Sequence, residues 1–179
     1  MTSGPEFVRP PRVHSGPIHL APADPAWSRQ YAEVEARIVE SLGPIAVVVE
    51  HVGSTSVPGL DAKPFLDVLL LVPDPADEPA YVAPLEAAGF LLHVREPDWH
   101  QHRFFRAYDP EVQVHVFAVG SEEGERMLAF RDRLRTDGAD RELYLQTKRR
   151  LAARSWTRIQ DYADAKSEVV EEILARARG

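Results

Sequence analysis

Residues 49–72, "VEHVGSTSVPGLDAKPFLDVLLLV", constrain this chain more than any other stretch. Two apolar, β-branched runs, 45–51 and 65–72, read as buried strands. A plain hairpin between such strands needs two to five residues. Here twelve residues separate Ser54 from Asp67, and they are rich in Gly, Ser and Pro. Such a connection is long enough to build a wall of its own. It then delivers one acid, Asp67, into an otherwise apolar strand.

The surrounding pattern supplies the rest of the fold. Asp24-Pro25 is a helix start, and Trp27, Tyr31, Val34, Ile38 and Leu42 follow at helical spacing until Gly43-Pro44. After the second strand, Pro73, Pro75 and Pro79 break the chain before a short helix over 80–88. Strands are predicted over 90–95, 102–108 and 112–119, the last two joined by a turn at Asp109-Pro110-Glu111. Helices are predicted over 122–136, 140–154 and 158–177. The fold class is therefore α/β or α+β: a mixed β-sheet with flanking helices and a helical C-terminal third. Residues 1–22 carry five Pro and read as a flexible or extended arm, with a single domain over 23–179.

Composition narrows the function classes. With 44% hydrophobic and 27% charged residues the chain can bury a sizeable core. The longest apolar run is far short of a membrane span, so no membrane role is expected and a cytoplasmic location is. The absence of Cys excludes disulfides, thiolate metal sites and Cys nucleophiles. A net charge of −7 argues against nucleic acid as a partner. Residues 126–158 nevertheless hold ten Lys/Arg against four Asp/Glu, either a solvated helical face or a phosphate-facing one.

The candidate chemistry centres on the loop. Gly53 permits close backbone approach, and Ser54, with Thr55 and Ser56, offers hydroxyl and N–H groups to a phosphate. Lys63 can neutralise that phosphate as a point charge, and a surface position leading into Pro64 is the plainer alternative. Asp67 is the one acid on the following strand. Gln113, His115 and Phe117 share a face of the strand over 112–119. His51 immediately precedes the loop, beside Glu50. His51, His115 and Asp67 together suit a single divalent ion such as Zn²⁺, Mn²⁺ or Fe²⁺, whereas hydrogen bonding within the core accounts equally for the two histidines. Arg103 and Arg106 flank Phe104-Phe105 on opposite strand faces, so one of them points at the pocket. Arg131, Lys148 and Lys166 lie on predicted helices; as isolated residues each reads as a surface cation or ion-pair partner, while Arg131 and Lys148, in the basic segment, can alternatively face an anion. His100 and His102 have metal-like spacing but read better as structural or substrate-contacting. Tyr144 and Tyr162 read as packing residues with hydroxyls at the pocket edge. No Gly-x-Ser-x-Gly elbow surrounds the serines, which argues against a hydrolase triad.

The string "HVGSTSVPGLDAKPFLD" closely resembles the signature of the GrpB family, a branch of the polymerase-beta-type nucleotidyltransferase superfamily. "DPAW" at 24–27, "RFF" at 103–105, "VHVF" at 114–117, "AFRDRLR" at 129–135 and "YADAKSEVVEEIL" at 162–174 resemble later blocks in the same order. The resemblance implies a nucleotidyltransferase-like fold and a nucleotide or other phosphorylated small molecule as ligand. In the wider superfamily Gly-Ser holds the triphosphate, and an Asp-x-Asp/Glu pair with a third acid holds two Mg²⁺ ions. That would make Asp67 a catalytic metal ligand assisted by His115, with Mg²⁺ or Mn²⁺ as cofactor. Some members are fused to dephospho-CoA kinase, which points towards nucleotide or coenzyme A metabolism. This chain departs from the superfamily at Leu69, where the second carboxylate belongs. A metal-dependent nucleotidyltransferase, a catalytically silent ligand-binding domain and a single-metal enzyme acting on a small metabolite all remain open.

Overall fold

The computed structural model describes residues 4–11 and 16–177. In chain order the elements are β1 (Glu6–Phe7), β2 (Gly16–Pro17), α1 (Ala26–Leu42), β3 (Val48–Val52), β4 (Leu66–Val72), α2 (Glu78–Ala87), β5 (Leu91–Glu96), β6 (His102–Tyr108), β7 (Glu111–Ala118), α3 (Glu122–Thr136), α4 (Gly138–Ala152), β8 (Ser155–Trp156), α5 (Ile159–Asp164) and α6 (Ser167–Ala177). Short 3₁₀ turns occupy Gly43–Ile45 and Ser54–Ser56.

Six strands form one mixed sheet in the order β1-β5-β6-β7-β4-β3. β4 and β7 run parallel, and every other neighbouring pair is antiparallel. β4 is therefore a central strand, and its near-continuous apolar run follows from burial on both faces. Its even-numbered residues Leu66, Val68, Leu70 and Val72 pack with Phe105, Val112, Val114 and Val116 beneath α1 and α2, which contribute Trp27, Val34, Ile38, Tyr81 and Leu85. Its odd-numbered residues face the other way. Leu69 and Leu71 join Val52 and Phe117 under Met127 and Leu128 of α3.

α3 lies directly on β4 because residue 124 is glycine. A Cβ there would stand 3.2 Å from Leu71 Cδ2 and 3.7 Å from Leu69 Cδ1. Position 69 is thus sealed in apolar contacts, and this is the packing reason that it holds no second carboxylate. α3, α4 and α6 make a further core of their own from Leu134, Tyr144, Leu145, Val169 and Ile173 with Val57 and Leu60.

Three boundaries differ from the sequence expectations. β3 starts at Val48 rather than 45, because Gly43-Pro44-Ile45 make the 3₁₀ turn. The last predicted helix is two, α5 and α6, with Lys166 at the break. In the Pro-rich arm, Glu6–Phe7 and Gly16–Pro17 are extended and paired. β1 adds to the edge of β5, β2 pairs with β8, and Ile18 is buried against Leu151, Ala152 and Tyr162. The packed unit thus includes residues 16–22. Among the described residues no helix is long and apolar enough to cross a membrane.

The long loop after β3 is anchored by Gly53, at φ +67° and ψ −171°. A Cβ at this position would meet Asp67 Cβ and Cγ at 2.9 Å and overlap its Oδ2. Glycine is required twice, for the left-handed backbone and for contact with the acid.

Two stability predictions follow from this packing. Leu69→Asp, which restores the missing carboxylate, places an unpaired charge under α3 and is expected to lower unfolding free energy by about 4 kcal/mol. Urea denaturation checks it, and a loss below about 1 kcal/mol would show that the site opens readily. Gly53→Ala is expected to cost about 3 kcal/mol, from the strained φ and the collision with Asp67. In an Asp67→Ala background the same change should cost at least about 1 kcal/mol less, since two of the three closest atoms are gone. Strict additivity would contradict the contact.

Candidate functional site

Strand parity decides which predicted residues meet. Asp67 on β4 pairs with Gln113 on β7, and His115 lies two residues further along the same face. Ser54 and Thr55 from the loop, Lys63 and Phe65 from its far end, Lys148 from α4, and Tyr162 and Lys166 from the C-terminal segment close around Asp67. Together with Leu20 and Gln113 they line a cleft of roughly 160 Å³. Leu20 comes from the Pro-rich arm, where the alternation of Ile18 and Leu20 is the one signal in the sequence.

The electrostatics of the cleft are unusual. Asp67 keeps 26% of its side chain exposed, all that the loop and strands leave open. Burial raises its pKa to about 6, opposed by Lys166, Lys63, Arg106 and Lys148. The lysines are displaced in the other direction. Burial, with repulsion from Lys166 next, lowers Lys148 to about 7 and Lys63 to about 8. Burial also lowers Lys166, with Asp67 opposing. Lys148 is almost fully buried and its Nζ donates to the Asp61 carbonyl. Lys63 and Lys166 lie 5.8 and 4.6 Å from the Tyr162 ring. The buried Tyr162 hydroxyl has no hydrogen-bond partner among the described residues. Tyr144, behind Ser54, is pushed up to about 12 by burial.

Other predicted residues support the loop from behind. Ser56 Oγ donates to the Gly53 carbonyl at 2.6 Å, and Arg135 donates to the Ser56 carbonyl. Thr55 Oγ1 donates to the Phe65 carbonyl at 3.0 Å, clamping the two ends of the loop. With its proton so used, Thr55 Oγ1 accepts from His51 Nε2, also at 3.0 Å.

Three predicted residues fall elsewhere. His51 faces α1 and stacks on Tyr31 at 4.6 Å, on the opposite sheet face from Asp67 and His115. It therefore does not join them as a metal ligand. Burial lowers its pKa to about 4, so it is a neutral donor that holds the loop. Arg103 also lies on the α1/α2 face, where its Nε donates to Glu78 of α2 at 2.6 Å. Its strand neighbour Arg106, opposite Gln113, is the arginine whose charge acts on Asp67. Arg131 is committed to Glu50 and Asp132 at 2.6 and 2.7 Å and to the His51 carbonyl, so it braces β3 against α3.

The donor set does not fit the metal centre that the superfamily resemblance implies. Asp67 and His115 stand 4.0 Å apart, Leu69 is apolar, and His51 is on the far face. Among the described residues no group of three or more His, Asp or Glu side chains is placed to hold a metal ion. What the cleft offers is cationic: three ammonium groups around one carboxylate, with Ser54 at the loop and a tyrosine hydroxyl.

Comparison with known proteins places the fold and the family. The family model described as GrpB protein matches residues 17–176. A UPF0157 protein of Halalkalibacterium halodurans is 50% identical over 93% of this chain and 85% of its own length. A UPF0157 protein of Streptomyces coelicolor is 44% identical over 89% of this chain and 84% of its own. A dephospho-CoA kinase of Mycolicibacterium paratuberculosis is 30% identical over 93% of this chain, which spans 47% of that relative. The crystal structure of GrpB from Enterococcus faecalis superposes with a TM-score of 0.72 at 27% identity, covering 89% of this chain and 96% of that one. The mixed α+β fold is thus shared with a solved structure, and the chain belongs to the GrpB family.

Proposed function

We propose that the cleft binds a phosphorylated small molecule of the nucleotide or coenzyme A type, with its phosphate among Lys63, Lys148 and Lys166. The observation that carries this reading is the convergence of three partly desolvated ammonium groups on a single carboxylate. Buried cations are unfavourable unless matched by negative charge; Asp67 is the one carboxylate in the cleft lining, while Asp61 and Glu111 act on Lys148 and Lys63 from outside it and Asp61 already pairs with Arg149. A bound phosphate dianion supplies the remainder. Ser54 adds a hydroxyl at the wall, and Tyr162 a further donor that the protein leaves unused among the described residues. The dephospho-CoA kinase relatives put coenzyme A compounds beside nucleotides among the ligands to try.

Whether the ligand is also turned over divides the remaining readings. Leu69, sealed under α3, favours a ligand-binding protein over two-metal nucleotidyl transfer. Transfer with a divalent ion held by Asp67 and the ligand's own phosphates is the second reading. A cytoplasmic setting suits both.

Thermal-shift titration with sulfate, pyrophosphate, the four nucleoside triphosphates and coenzyme A, each with and without Mg²⁺ or Mn²⁺, separates them. Stabilisation by pyrophosphate or a nucleotide is expected, and Lys63→Met and Lys148→Met should each weaken it about tenfold or more. Stabilisation that requires both metal and Asp67 supports transfer, and metal-independent stabilisation supports binding alone. No shift with any compound, or shifts indifferent to both substitutions, overturns the proposal.

The pH dependence follows from the lysines. Their folded pKa values of about 7 and 8 lie below the unfolded value of 10.5. Between about pH 7 and pH 10 the unfolded chain thus binds more protons, so their destabilisation is fully present below pH 7 and fades as pH rises. An anion that restores their charge acts in the same window. Sulfate, whose own charge is constant, should bind about tenfold more weakly at pH 9 than at pH 6. Calorimetric titration in buffers of different ionisation heat should show proton uptake near pH 8.

A further inference from the structure

Beside the lysine cleft, four side chains from four adjacent strands form a line across one face of the sheet. Glu96 Oε2 lies 2.7 Å from His102 Nδ1, His102 Nε2 lies 3.2 Å from His115 Nδ1, and His115 Nε2 lies 4.0 Å from Asp67 Oδ1. Glu96, at the outer end, is 30% exposed, and Asp67, at the inner end, borders the cleft.

Proton placement in this line follows from its shortest contact. A carboxylate only accepts, so the 2.7 Å bond to Glu96 puts the His102 proton on Nδ1. His102 Nε2 is then bare and accepts from His115 Nδ1–H. His115 Nε2 is bare in turn, and it faces another acceptor, Asp67 Oδ1. Two acceptors at 4.0 Å make no hydrogen bond with each other, and a hydroxyl seated between them shares its one proton with both in a three-centre bond. The reverse arrangement points an N–H at Asp67, but it sets a bare His102 Nδ1 against Glu96 at 2.7 Å. With His102 neutral the shorter contact decides between them; a doubly protonated His102 would also satisfy Glu96 and would turn the line round, and the histidine spectra below test for it.

The rings are held in these orientations. His102 stacks on Phe117 at 4.6 Å, with the Trp99 ring edge-on at 5.1 Å, and its plane lies within 15° of that of His115, as an in-plane hydrogen bond between the two rings requires. Phe104 packs against His115 at 5.2 Å. Burial lowers the His115 pKa to about 3, which keeps the ring neutral.

We propose that His115 Nε2 and Asp67 Oδ1 form a two-acceptor seat for a hydroxyl group of the ligand. The ligand is then a phosphorylated alcohol whose phosphate lies among the lysines and whose hydroxyl lies between Asp67 and His115. Only the phosphate end rests on the anion-site reading above. Glu96 and His102 are positioning residues: they touch no ligand, and they hold His115 in the tautomer with Nε2 bare.

Long-range ¹H–¹⁵N spectra of ¹⁵N-histidine-labelled protein at pH 7.5 report the tautomers directly. Both His102 and His115 are expected as neutral Nδ1–H rings. Glu96→Leu should redistribute the proton on both rings, and Glu96→Gln, which keeps an acceptor oxygen, should restore the wild-type pattern. A wild-type His115 carrying its proton on Nε2, or a doubly protonated His102, overturns the seat. Glycerol 3-phosphate is the ligand probe, with sulfate as an anion that has no hydroxyl. Glycerol 3-phosphate should shift the His115 Nε2 resonance in the direction of hydrogen-bond acceptance, and sulfate should leave it in place while perturbing the lysines. Binding of both without movement of Nε2 overturns the seat and leaves the anion site standing. If neither binds, the anion reading fails, and the tautomers alone decide the seat.

Discussion

The contact between Gly53 and Asp67 is the constraint on which the rest of the site depends. Asp67 lies in the middle of a sheet, on a strand that is otherwise apolar, and the loop backbone presses on it at the one residue without a side chain. That contact removes water from the carboxylate and raises its pKa to about 6. It also brings Ser54 and Lys63, at the two ends of the same loop, to the rim of one cleft. The long loop is therefore the cleft wall, and Thr55, Ser56 and His51 hold it there by side-chain hydrogen bonds.

The cations that surround Asp67 have separate origins. Lys63 belongs to the loop, Lys148 to α4, and Lys166 to the break between α5 and α6. Each loses hydration, and Lys166 repels Lys63 and Lys148, so their pKa values fall while that of Asp67 rises through burial. Opposite displacements within one small volume are the feature on which the proposed anion site rests. The aromatic box of Trp99, Phe104 and Phe117 acts on the neighbouring histidines differently, by holding the rings in the orientations that place each proton.

Several features are legible in the residue pattern itself. The strand-loop-strand unit, the first helix and the hairpin of β6 and β7 have strong local patterns, and they fold within a few residues of expectation. The pairing of Asp67 with His115 is accessible because both sit on strands, where alternation tells the face. The same alternation, carried from β3 to β4, moves His51 to the other side, but only once the register Val52↔Asp67 is known. For Arg103 and Arg106, alternation shows that they part company and leaves open which one turns to the cleft. The packing of α1 and α2 answers it, because Glu78 takes Arg103. Arg131 resembles an anion ligand in a basic segment, and only the packing of α3 on β3 shows it engaged with Glu50.

By itself the sequence determined the class of fold, the long glycine-containing loop, the single acid on the central strand and the leucine that replaces a second one. These are local properties, set by propensity, period and residue identity. Tertiary structure alone decided that Lys148, Lys166 and Tyr162, some eighty to a hundred residues beyond Asp67, close the cleft over it. It also decided that Glu96 sets the tautomer of His115 through His102. Both results come from long-range registration of strands and helices, and from desolvation that exists only when distant segments meet. No local pattern encodes the dielectric around a side chain, and that dielectric makes this set of common residues a site.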